Sequence, residues 1–201
     1  MITEYNAIDL GLPSGTKWAN MNVGAILEED YGLYFQFGDI SGNTNENAAA
    51  FSYEDTAPGE GGSILRGTDE WALEHLSGDT LTNETDAATV IMGSEWHLPT
   101  SAQIEELVEN TDQEEVTVNG INGRKFINKK DSSKYIFIPA SGYYDEGKFG
   151  NEGDSGDLWG CQVVNPFKYY AYGLHFYKDT CSLAECYRYY GYCARGVTES
   201  N

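Results

Sequence analysis

Apolar residues along the chain come in short runs broken by Gly, Pro and Asn, and few stretches are long enough for a helix. Ala7-Ile8-Asp9-Leu10-Gly11-Leu12-Pro13-Ser14-Gly15 reads as a short strand running into a turn, an apolar run punctuated at once by turn formers. Trp18 to Gly24 predicts a second short strand, and Tyr31 to Phe37, alternating aromatic and smaller residues, a third. Residues 38–83 are rich in Gly, Ser, Thr, Asn and acids, and predict a loop-rich insertion with little regular structure. One helix is predicted over Glu84–Met92, where Ala87, Ala88 and Ile91 supply an apolar stripe. A second starts after Pro99: Thr100 can cap, Gln103 completes a capping box, and Ile104, Leu107 and Val108 share a face. Its exposed side carries Glu105, Glu106 and Glu109, the first two near the positive end of the helix dipole. Val116–Val118, Arg124–Ile127 and Tyr135–Pro139 read as strands, with Asn119-Gly120 and Asn122-Gly123 as hairpin signals. From Leu158 on, the alternation is irregular. The pattern predicts an α+β fold with two helices, short antiparallel strands and long irregular loops, in one domain over 1–201.

Charge changes this picture in one region. The chain has 201 residues and a net charge of −20, which argues against nucleic acid or an anionic membrane as partner, since both would be repelled. The carboxylates are scattered and no cofactor is expected, with calcium left open. No apolar run reaches the length of a membrane span, and no basic, apolar leader opens the chain. Use without secretion and removal of a leader are both consistent with that start. Residues 158–197 differ from the rest: they hold all four cysteines and eight of the fifteen tyrosines. Lys168, Lys178, Arg188 and Arg195 there outnumber Asp179 and Glu185, so the segment carries +2 and the remainder −22.

Within that segment Ala171, Leu174 and Phe176 have the spacing of a strand facing a core, and Arg188, Gly191, Arg195 and Val197 could close the domain. Between them stand Asn165, Phe167, Lys168, Tyr169, Tyr170, Tyr172, His175, Tyr177, Tyr187, Tyr189, Tyr190 and Tyr192. Tyrosine offers a large contact area, two rotatable bonds and a hydroxyl, the combination that binding surfaces use. A strand preference accounts for any one tyrosine, but less well for the cluster. Since a buried tyrosine must satisfy its hydroxyl, most are expected to reach solvent.

Cys161, Cys181, Cys186 and Cys193 contain no C-x-x-C pair, which disfavours structural zinc, and are expected to be free thiols at surface positions. His75, His97 and His175 show no ligand spacing, and there is neither a nucleophile elbow nor a phosphate-cradling glycine loop. The chain is not expected to be an enzyme.

Ile8 to Ala19, Asn22-Val23-Gly24-Ala25, Tyr31-Gly32 and Phe37-Gly38 resemble a repeated surface-protein domain of Bacteroidetes and Fibrobacter relatives. So do Trp96-His97-Leu98-Pro99-Thr100, Ile136 to Tyr143 and the Arg188–Val197 pattern. The resemblance implies a C-type-lectin-like fold, in the branch shared with formylglycine-generating enzymes. More closely, the chain is similar to the variable proteins of diversity-generating retroelements, in which a reverse transcriptase rewrites adenines in a C-terminal template copy. The resemblance makes 158–197 the variable region and adds Gly160, Cys161, Gln162 and Gly173 to the ligand-binding positions. It also explains the cysteines as products of codon rewriting. The enzymes of that branch need a dedicated cysteine pair, so their activity is not carried over. What is implied is a protein or glycan receptor on a target cell surface as partner, with the chain on a phage tail or displayed at a cell surface. A fixed-site domain of the same fold is the alternative.

Overall fold

The computed structural model describes residues 4–44, 74–145, 148–166 and 169–199. The early strands are β1 (Ala7–Asp9), β2 (Lys17–Ala19), β3 (Tyr34–Phe35), β4 (Leu76–Ser77) and β5 (Thr80–Leu81). Helices α1 (Ala87–Met92) and α2 (Ser101–Asn110) follow, then β6 (Thr111–Val118), β7 (Ile121–Asn128), β8 (Tyr135–Pro139), β9 (Tyr143–Asp145) and β10 (Lys148–Gly150). The tail forms β11 (Ser155–Val163), β12 (Tyr170–Tyr177), β13 (Thr180–Tyr187), β14 (Tyr192–Cys193) and β15 (Val197–Thr198).

This balance overturns the expected α+β, C-type-lectin-like fold with short strands and long irregular loops: 44% of the described residues are in strands and 11% are helical. Five strands, β6, β7, β11, β12 and β13, run to eight or nine residues. The tail reads as irregular because β11 buries residues on both faces and the half-buried positions of β12 are mostly aromatic rather than polar, which hides a simple in–out alternation. Most of the predicted insertion, residues 45–73, lies outside the described residues; its end forms the β4–β5 hairpin. Of the two hairpin signals, Asn119-Gly120 makes the β6–β7 turn, with φ of 49° and 88°. Asn122-Gly123 instead lies inside β7, where a Cβ on Gly123 would stand 2.5 Å from the Phe137 ring.

The largest sheet runs β13-β12-β11-β14-β3, with β5 also pairing β11. All its main pairings are antiparallel except β11 with β14. Register divides its side chains between two cores. Leu158, Leu174, Phe176 and Cys193 pack with Ile104 and Leu107 of α2 and with Trp18, Phe126 and Ile138. Trp159, Ala171, Cys186 and Tyr192 pack on the other side with Ala87 and Ala88 of α1, Phe37 and Trp96. The pairs Leu158↔Leu174 and Trp159↔Gly173 show the switch between adjacent residues.

The residues expected to form a fixed frame are all buried: Ala171, Leu174, Phe176, Arg188, Gly191 and Arg195. Arg195 donates from Nε to Asn22 Oδ1 at 2.9 Å, tying the tail to the N-terminal region. Burial pulls its guanidinium down to about 9. Two neighbouring backbone bonds, Ala19 N–H to Gly196 O and Val23 N–H to Ala194 O, complete that closure.

Both helices start on side-chain caps. Thr100 and Gln103 form the expected capping box on α2. Helix α1 starts at Ala87 rather than Glu84 because Asp86 is its cap: Oδ1 accepts from Ala88 N at 2.9 Å and Thr89 N at 3.0 Å. Its Oδ2 also accepts from Leu98 N at 2.8 Å, so one buried carboxylate joins α1 to the segment leading into α2. Asp86→Ala removes the cap and strands the buried Leu98 N–H. The expected loss is about 2–4 kcal/mol in urea denaturation, with a smaller loss for Asp86→Asn, which keeps an oxygen for the helix.

Candidate recognition face

At the end of the β12–β13 pair the tyrosine rings form a continuous run. Tyr169 and Tyr170 are 4.6 Å apart between ring centroids, Tyr170 and Tyr187 4.5 Å, and Tyr187 and Tyr189 5.2 Å. The run continues through Tyr189–Tyr190 at 4.8 Å and Tyr190–Tyr192 at 5.7 Å to Trp159, stacked on Tyr192 at 4.5 Å. Trp159 is itself fixed, donating its indole N–H to Phe35 O at 2.7 Å. The rings thus pass from the core to the surface, and edge, tilted and stacked contacts add to their buried area. Tyr170 and Tyr187 face each other across the strands and share a hydrogen bond, which pushes the Tyr170 hydroxyl up to about 12.

Tyr169, Tyr170, Tyr172, His175, Tyr177, Tyr187 and Tyr190 are half-buried and Asn165 is exposed, so these reach solvent. Phe167 and Lys168 lie outside the described residues. Of the remaining positions expected to bind ligand, Gln162 is half-buried and Gly160, Cys161, Gly173, Tyr189 and Tyr192 are buried. Tyr189 is 8% exposed, packed between Tyr187 and Tyr190, and Tyr192 is 4% exposed, stacked on Trp159. Gly160 is packed where a Cβ would meet Pro99 O at 2.9 Å, and Gly173 where it would meet Leu158 O at 2.7 Å. Gln162 is held by α2: its Oε1 accepts from Ser101 N at 2.9 Å and Ser101 Oγ at 3.0 Å.

The cysteines are free, but they are not surface thiols: Cys161, Cys186 and Cys193 are buried and Cys181 is half-buried. They occupy inward strand positions, where cysteine packs as a small apolar residue. Burial pushes Cys161, Cys186 and Cys193 up to about 12 and Cys181 to about 11. At neutral pH they are thiols, which makes them poor nucleophiles and poor metal ligands. Among the described residues no three His, Cys, Asp or Glu side chains cluster as a metal site, and no helix is long and apolar enough to cross a membrane.

The register also brings in residues that sequence reasoning missed. Asp157 is opposite His175, and its Oδ1 lies 2.7 Å from His175 Nδ1. Asp157 is 1% exposed, and its other oxygen accepts from Ser155 Oγ at 2.8 Å. Tyr143 joins from β9, 5.4 Å from Tyr190 and 5.9 Å from Tyr192. In the sequence Tyr143 stood out only as the end of the Ile136–Tyr143 resemblance, with no sign that it joins the tyrosine-rich tail. The pairing that brings it beside Gly191 is long-range.

Comparison of the chain with family models, with curated proteins and with solved structures finds no match.

The Asp157 hydrogen bond raises the His175 imidazole above its ordinary 6.5, outweighing burial, which lowers it. A raised folded value means that protonation favours the folded state. This contribution is complete below the unfolded pKa and is lost as pH climbs through the higher folded one. Thermal melts between about pH 6 and pH 9 are therefore expected to show a decline that His175→Gln abolishes.

Proposed function

We propose that this chain is a ligand-binding protein whose tyrosine-rich face is diversified by retroelement mutagenesis, recognising a protein or glycan receptor from a phage tail or a cell surface. The observation that carries this reading is the run of tyrosine rings from Trp159 to Tyr169, half-buried at its outer end and set on wholly buried neighbours. Half-buried aromatics held against one another on strands and the turns that join them present large contact area at low entropic cost, the property of interface anchors. On β12 Leu174 and Phe176 pack in one core and Ala171 in the other, while Tyr170, Tyr172, His175 and Tyr177, drawn from both faces of the strand, are half-buried and reach solvent.

The inward placement of Gly160, Cys161, Gly173, Tyr189 and Tyr192 favours a second reading at those positions, a fixed site that is not diversified. The encoding genome separates the two. Diversification requires a near-copy of the region for 158–197, differing at adenines, beside a reverse transcriptase gene; its absence leaves the fixed site.

The face itself is tested without knowing the ligand. A library randomised at Tyr169, Tyr170, Tyr172, Tyr187 and Tyr190 is expected to stay folded and to yield binders to an arbitrary protein. Randomising Ala171, Leu174 and Arg195 is expected to unfold most members, since each change costs about 2–5 kcal/mol in a close-packed core. Equal loss of folding in both libraries makes the tyrosines structural and overturns the reading.

A further inference from the structure

We propose that Asp157, His175 and Ser182 form an acyl-transfer site, with Ser182 as the nucleophile and an activated ester as the substrate. The proposal goes beyond the recognition reading and does not depend on it. The three residues stand in one row across the sheet: Asp157 on β11 is opposite His175 on β12, and His175 is opposite Ser182 on β13. Residues opposite one another project from the same face, with Cβ atoms about 4.5–5.5 Å apart. Carboxylate, imidazole and hydroxyl thus follow one another on neighbouring strands, in the order that an activated serine requires.

Asp157 is held before any substrate arrives: it is buried, Oδ2 accepts from Ser155 Oγ at 2.8 Å, and Oδ1 lies 2.7 Å from His175 Nδ1. A carboxylate only accepts, so Nδ1 carries the imidazole proton and Nε2 keeps its lone pair. The two nitrogens lie on opposite edges of the ring. With Nδ1 aimed back at β11, Nε2 is turned toward β13 and solvent. Among the described residues neither Nε2 nor Ser182 Oγ has a hydrogen-bond partner, and Ser182 is exposed. The next row, Gly173↔Ala184, carries nothing larger than a methyl group, which leaves room for a small acyl group. In the reaction Nε2 takes the Ser182 proton as Oγ bonds to the acyl carbon. The bond to the leaving oxygen then breaks and the alcohol departs with that proton. Water cleaves the Ser182 ester by the same route and releases the acid. Ser182 lies on a regular strand rather than a strained elbow, so activated esters, not amides, are the substrate class.

The probe is p-nitrophenyl acetate, added to the full chain. Release of p-nitrophenol is expected to exceed that of Ser182→Ala by at least about tenfold. Mass spectrometry of an acid-quenched digest is expected to find the acetyl group on Ser182. His175→Gln loses the release to the same extent. Asp157 is a positioning residue, so its variant is read by pH profile. The Asp157 hydrogen bond raises His175 above its ordinary 6.5, and the rate climbs as the imidazole loses its proton. Asp157→Asn, which keeps the shape, is expected to lower the rate and move that climb down toward 6.5. Circular dichroism confirms that each variant is folded; Ser182→Ala changes an exposed side chain and leaves the core untouched. Equal release by Ser182→Ala, no acetyl group on Ser182, or an unmoved profile in Asp157→Asn overturns the proposal. The tyrosine library decides the recognition face separately.

Discussion

Strand β11 is covered on both faces, and the rest of the structure is arranged around that fact. Eight of its nine residues are buried. Leu158 serves the α2 side and Trp159 the α1 side, so one strand is shared by two cores. A central strand of this kind has no polar face to spare, and every neighbour must be placed to cover it. β12 covers one edge, β14 and β5 the other, and the two helices and the β6-β7-β8 sheet close the faces. The aromatic run depends on the same strand, because Trp159 is the fixed end from which the tyrosines extend.

Local signals in the sequence located local structure well. The Thr100–Gln103 capping box, the Asn119-Gly120 turn and the Tyr135–Pro139 strand are all determined by neighbouring residues, and all are present. Fold class was misread for a reason of the same kind. Period-two patterning is visible only when one face is polar, and in β11 and β12 both faces carry apolar or aromatic groups. β11 therefore lost its strand signature through being more deeply buried than an ordinary strand, and β12 because its solvent-reaching positions are mostly tyrosines. Thiol exposure failed likewise: Cys186 and Cys193 flank tyrosines in sequence but alternate with them in space.

The candidate face was legible in part. Its tyrosines stood out by density, and those with half-buried rings, Tyr169, Tyr170, Tyr187 and Tyr190, form its outer end. Asp157, Ser155, Tyr143 and Asp145 were not legible, because what assigns them to the face is pairing with His175 and Gly191 across long sequence separations. Composition can indicate that a surface exists, whereas its charge depends on which distant residues the register delivers. Here the tail itself carries a positive sum, while the residues delivered from β9 and β11 are acidic.

The eight-for-eight pairing of β12 with β13, from Tyr170↔Tyr187 to Tyr177↔Thr180, also constrains how this surface can change over time. Substitution at an outward position leaves the ladder intact. An insertion or deletion of a single residue would exchange the two faces, turning Leu174 and Phe176 to where His175 and Tyr177 now stand. The chain can therefore vary in letter but not in length across this hairpin. Evolution of the face is confined to point changes, and any process that edits it by slippage is selected against by the core beneath.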